Sequence, residues 1–230
     1  ARLYRECGEV TGTTDLCQHG LGHGIVSGIG YTESNLREAL ALCDSVTKEK
    51  TYSGCYGGVF MEYNMRTIAT AEQTMTSRVP EENNLYAPCA SLDSETDRIC
   101  TFWLPEWWYF AVMTGGREPA PKHDTYTRMG ALCAASYDPQ TCYEGIGYIS
   151  PAAFMFNPVL VREACDSLGA EGNGATYCRA MAGLIFHITS GEEKKAPMLC
   201  EGLAPHQYSI CMTYATHSAN NFSFSLRELP

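Results

Sequence analysis

The chain has 230 residues, 45% of them hydrophobic, and sets 26 acidic side chains against 16 basic ones, for a net charge of −10. That is enough apolar material for a core in one or two domains. The acidic balance, with no basic run longer than Lys194-Lys195, excludes a phosphate-tracking surface and so a nucleic-acid partner. The apolar windows around Phe102–Met113 and Pro151–Val161 are broken by Glu106 or by prolines, and they fall short of the roughly 20 residues that a membrane helix needs, so no membrane span is expected.

Twelve cysteines are spread along the chain and never form a CxxC pair, which argues against zinc ribbons, iron–sulfur ligation and haem attachment and for disulfides. Low lysine content and a single sequon at Asn221-Phe222-Ser223 fit the same oxidising setting: secreted, periplasmic or at a cell surface. The start of the chain shows no initiating Met, basic segment or apolar leader, so it reads as a mature product or an excised domain.

In chain order the cysteines fall into consecutive pairs: Cys7/Cys17, Cys43/Cys55, Cys89/Cys100, Cys133/Cys142, Cys165/Cys178 and Cys200/Cys211. The first member opens a recurring phrase, as in Cys43-Asp-Ser-Val46, Cys89-Ala-Ser-Leu92 and Cys165-Asp-Ser-Leu168; Cys133-Ala-Ala-Ser136 departs from it. Periodic self-similarity on this scale is the signature of a helical array. Ser34–Cys43 has strong helix formers after a candidate cap at Ser34, with Glu38 in reach of a capping-box role. Asn157-Pro158 and Asp138-Pro139 pair an N-cap residue with proline in the first turn.

Each unit therefore reads as a helical hairpin in which one cysteine ends helix A and the next begins helix B. A bridge inside the unit closes a loop of about ten residues and stabilises by ~2–3 kcal/mol; crosslinks between neighbouring units are the alternative. The fold expected is all-α, six disulfide-stapled helical-hairpin repeats forming an α-solenoid or a closed helical ring. It is read as one helical-repeat domain over 1–230, with Gly115–Lys122 as a linker dividing it into halves 1–115 and 123–230. Arg66–Arg78 reads as a polar helix extension, and the alternating Phe222-Ser-Phe224-Ser-Leu226 tail reads as an edge or contact element.

The segment Glu163–Leu168, followed by Gly169–Tyr177 and Cys178–Gly183, resembles the disulfide-stapled Sel1-like and tetratricopeptide-type repeats of secreted bacterial proteins. The repeat length drifts more here, and Cys142–Pro151 lacks their glycine-rich turn. The resemblance implies an α-solenoid with a concave partner-binding face, and it transfers no catalytic residue.

Chemistry concentrates first in Cys17-Gln18-His19-Gly20-Leu21-Gly22-His23-Gly24, where two imidazoles four residues apart share a helix face. With Glu62 from the next helix B they could chelate one divalent transition metal (zinc, copper, iron or manganese). The glutamate of an HExxH helix is missing, since Gly20 follows His19, and a peptidase is not indicated. The competing reading takes the glycines as places where another backbone approaches closely, with the histidines as satisfied core groups.

Aligned on the second cysteine, Glu106, Glu144 and His217 also point to the inner, concave face, and Glu106 with Glu144 permits a glycosidase pair. Trp103, Trp107 and Trp108 form an aromatic helix that reads either as core or as a platform for a protein or glycan partner. Ser27 has no nucleophile elbow, and the glycine run lacks the lysine of a phosphate loop.

Whether the chain is an enzyme stays open. The leading expectation is an exported binding or assembly module. A metal-binding protein or metalloenzyme at His19/His23 is the alternative, and a self-assembling filament or surface-layer subunit is a third reading.

Overall fold

A computed structural model describes residues 6–7, 14–47, 49–67, 84–109, 123–169 and 173–216. Among them the protein is all-α, without strands. The helices are α1 (Thr14–Ile29), α2 (Glu33–Val46), α3 (Cys55–Met65), α4 (Ser94–Trp107), α5 (His123–Ala134), α6 (Pro139–Ala153), α7 (Pro158–Asp166), α8 (Gly174–Ile188) and α9 (Pro205–Ala215), with 3-10 segments at Cys89–Ser91 and Glu193–Cys200.

All twelve cysteines are bridged, each to its neighbour in the chain: Cys7–Cys17, Cys43–Cys55, Cys89–Cys100, Cys133–Cys142, Cys165–Cys178 and Cys200–Cys211. The within-unit pairing holds throughout, and crosslinks between units do not occur. The hairpin reading is cleanest for α2/α3, α5/α6 and α7/α8, where the bridge joins the end of one helix to the first turns of the next. In the third and sixth units the first cysteine lies in a 3-10 turn instead of an α-helix: Cys89 opens one and Cys200 ends the other. No helix among the described residues is long and apolar enough to cross a membrane.

The chain divides into two compact units, residues 1–103 and 104–219. In the first, α1 packs along α3. Two glycines make this crossing close: a Cβ on Gly22 would sit 2.2 Å from the Cys55 carbonyl oxygen, and one on Gly58 would sit 1.9 Å from that of His19. Only a residue without a side chain lets the backbones meet there. The open positions on α1 behave differently, since a Cβ at Gly20, Gly24 or Gly28 would meet nothing within 4 Å. In the second unit α8 is central, packed between α6 and α9 and against the 193–200 turn. Arg179 of α8 is buried and donates to Asp166 and to the backbone carbonyls of Leu199 and Glu201, tying three elements together.

The caps follow local chemistry. Asn157 accepts from the backbone of Val159 and Leu160 ahead of Pro158, and Asp138 accepts from Thr141 ahead of Pro139. The cap of α2 is Thr32, whose hydroxyl accepts from Asn35 at 3.1 Å; Ser34 lies inside the first turn, and Glu33 pairs with Arg37. Thr32 takes the role because it, and not Ser34, has the extended backbone that a cap requires. Helix α3 stops at Met65, with Arg66 in the left-handed region. The linker Gly115–Lys122, the bulk of the 66–78 extension, the sequon and the tail lie outside the described residues.

Replacing Asn157 with Ala is expected to cost about 1 kcal/mol in denaturant unfolding by leaving the first amides of α7 without a partner; an unchanged midpoint would show that the cap is redundant.

Candidate functional site

Helix α1 places His19 and His23 one turn apart, with ring centres 4.8 Å from each other in edge contact. Glu62, fully buried on α3, meets His23 directly: its Oε2 lies 2.8 Å from His23 Nδ1. The same carboxylate accepts from the Tyr31 hydroxyl through Oε1 at 2.6 Å and from the Thr67 hydroxyl through Oε2. Arg66 stacks its guanidinium 4.4 Å over the Tyr31 ring. Burial pushes the Tyr31 phenol up to about 12, and its hydrogen bond to Glu62 acts in the same direction.

The sequence pointed to Glu62 as a ligand to a metal shared with both histidines; the structure brings it to His23, where it also accepts from Tyr31 and Thr67. Tyr31 and Thr67 went unread. Tyr31 sits past the end of α1 and Thr67 past the end of α3, where no periodicity assigns a face.

His19 occupies a drier place. Burial first, and then the neighbouring His23, hold its imidazole down to about 4, so it is neutral at neutral pH. Its Nδ1 is buried with no hydrogen-bond partner, while its other nitrogen donates to the Gly54 backbone. The Trp103 ring lies 5.6 Å away. No group of three or more His, Cys, Asp or Glu side chains placed to hold a metal ion occurs among the described residues.

The carboxylates expected on an open inner face are inside the protein. Glu144 is buried on α6 and accepts from Tyr214 at 3.1 Å and Gln140 at 3.0 Å through one oxygen. Glu106 is 7% exposed, and its Oε2 has no hydrogen-bond partner. Burial alone raises its carboxyl to about 8. A glycosidase needs two carboxylates flanking a sugar in a cleft, and two buried groups do not supply that. His217 lies outside the described residues.

The aromatic helix is core: Trp103, Trp107 and Trp108 are all buried, so none presents a ring to a protein or a glycan. Large apolar rings on a helix face close enough to bury are worth more inside than out.

The large apolar side chains that are exposed lie elsewhere: Leu16 and Leu42 in the first unit, and Tyr137, Tyr208 and an aliphatic group at one corner in the second. The corner joining α6 to α7 runs Phe154-Met155-Phe156, and both Met155 (φ 49°) and Phe156 (φ 54°) take the left-handed conformation that side-chain-bearing residues avoid. Phe156 is anchored: its ring packs edge-on to Phe186 at 5.3 Å, and its carbonyl accepts from Lys195. Met155 is consequently turned outward, 88% exposed, with Val159 (43%) and Leu160 (42%) exposed on the next turn. A separate groove of about 320 Å³ lies between α5, α6 and the turn after α7, lined by small residues and Tyr143. None of the site residues expected from the sequence lines it.

Comparison of the chain with protein-family models, curated proteins and solved structures finds no match.

Proposed function

We propose that the protein is an exported binding module that docks a protein partner through the α6–α7 corner. The single observation that carries the reading is Met155, held almost wholly in solvent by two consecutive left-handed residues and flanked by exposed Val159 and Leu160. Backbone strain that survives in a fold is offset by its surroundings, here the Phe156–Phe186 packing, and it concentrates where function needs a side chain aimed. Methionine is flexible and polarizable, suited to filling a partner's apolar pocket, and an aliphatic cluster favours a protein over a glycan, which asks for stacking aromatics.

Export is supported by six disulfides with no free cysteine, an arrangement that persists in oxidising compartments. The bridges also stiffen the hairpins on either side of the corner, Cys133–Cys142 before it and Cys165–Cys178 after it, so less order has to be imposed on binding.

The test is the triple variant Met155→Glu, Val159→Glu, Leu160→Glu. Because all three side chains face water, its melting temperature is expected within about 2 °C of the parent, while binding to a partner isolated with the parent protein falls by at least about a hundredfold, the effect of losing a central anchor. Equal binding by the parent and the variant would contradict the docking role.

A further inference from the structure

A different feature, in the first unit, goes beyond docking. His23 Nδ1 faces the Glu62 carboxylate at 2.8 Å and the Thr67 hydroxyl at 3.0 Å; a carboxylate only accepts, so the pairing with Glu62 assigns a proton to Nδ1 and leaves Nε2 as the nitrogen free to ligate. In His19 the other ring nitrogen donates to the Gly54 backbone, and the lone pair on the buried Nδ1 meets no donor. A buried acceptor without a donor is a costly group for a fold to keep, and a cation satisfies it.

We propose that His19 and His23 together bind a copper(II) ion, with Glu62 orienting His23 from outside the coordination shell. Glu62 is committed: Tyr31 occupies Oε1, and His23 and Thr67 occupy Oε2. This is the outer-shell arrangement that fixes the tautomer of a ligating histidine and makes it a stronger donor.

The ring geometry bears on the metal. With metal–nitrogen bonds of about 2.0 Å, ring centres 4.8 Å apart allow one nitrogen of each ring to reach a shared ion at roughly a right angle, the cis relation of a tetragonal site. Copper(II) prefers that geometry, heads the affinity order for nitrogen ligands among first-row divalent ions, and takes water at its remaining positions. Zinc sites draw three or four protein ligands. Every cysteine is in a disulfide, so no thiolate competes for the ion, and the net charge of −10 favours a cation.

Chelator-treated full-length protein titrated with copper(II) chloride alone tests the site, followed by tryptophan emission, which Trp103 beside His19 makes responsive, and by electron paramagnetic resonance. The expected result is uptake of one equivalent with imidazole nitrogen splitting in the spectrum. Affinity should fall at least about tenfold in His19→Asn and in His23→Asn, and by about 10–100-fold in Glu62→Gln. Zinc(II) should bind the parent at least about tenfold more weakly than copper(II).

Copper uptake that survives both histidine variants, zinc binding as tight as copper, or no uptake at all would each overturn the assignment. If the variants do not fold, the spectrum of the parent decides, since copper bound without imidazole nitrogen would also overturn it.

Discussion

Gly58→Ala is expected to destabilise the protein by about 3 kcal/mol or more, the upper range for forcing a methyl group into a closed contact. The new Cβ would lie 1.9 Å from the His19 carbonyl oxygen and 2.8 Å from the carbonyl carbon, both backbone atoms. Neither helix can yield cheaply. Cys17, two residues before His19, is tied to Cys7, and Cys55, three before Gly58, is tied to Cys43. Gly24→Ala on the same helix as His19 is the control. A Cβ there meets nothing within 4 Å, so the substitution should be neutral or stabilise by up to about 1 kcal/mol through helix propensity. Denaturant unfolding of both variants measures the contrast, and equal midpoints would mean that the helices do not cross at Gly58.

The second large effect is on pH. The Glu106 carboxyl titrates at about 8 in the folded protein against 4.5 for the free side chain, because burial disfavours its charge. Between those values the unfolded chain has given up the proton that the folded chain keeps. Stability therefore falls as pH rises from about 4.5 to about 8, by up to about 1.4 kcal/mol per pH unit, and the loss is complete above that window. Glu106→Gln keeps the shape and removes the charge. It should match the parent near pH 4.5 and exceed it by several kcal/mol, roughly 3–5, at pH 8–9. Parallel stability curves for the two proteins would show that the carboxyl is hydrated, and the open-face reading of Glu106 would return.

Much of the frame was legible in the residues, for physical reasons that also explain what was not. Disulfide pairing could be read because each bridge spans a short loop: Cys133 and Cys142 are nine residues apart, and a turn between two helices is the only thing separating them. Asn157-Pro158 and Asp138-Pro139 declared their caps because a cap is local chemistry. Thr32 was missed in favour of Ser34, since two hydroxyls two residues apart differ only in backbone conformation.

The histidine pair was visible as i, i+4 spacing, and Glu62 as a carboxylate brought to it, which the structure places against His23. That Glu62 serves Tyr31 and Thr67 as well depends on where two helices end in space, which spacing does not encode. The burial of Trp103, Trp107 and Trp108, and of Glu106 and Glu144, is likewise tertiary, because a helix face shows its period in the sequence and not what covers it. Met155 was hidden most thoroughly. It sits inside an apolar window, and only the left-handed backbone of the corner turns it out of the core.

The most direct measurement of the docking claim is photo-crosslinking from position 155, with a diazirine analogue of methionine placed there alone, in the fluid of the compartment that receives the protein. A discrete adduct with one protein, lost when Val159 and Leu160 are both changed to Glu, is the result expected of a docking corner. Absence of any discrete adduct from correctly folded protein, or an adduct that persists with both glutamates in place, would contradict it.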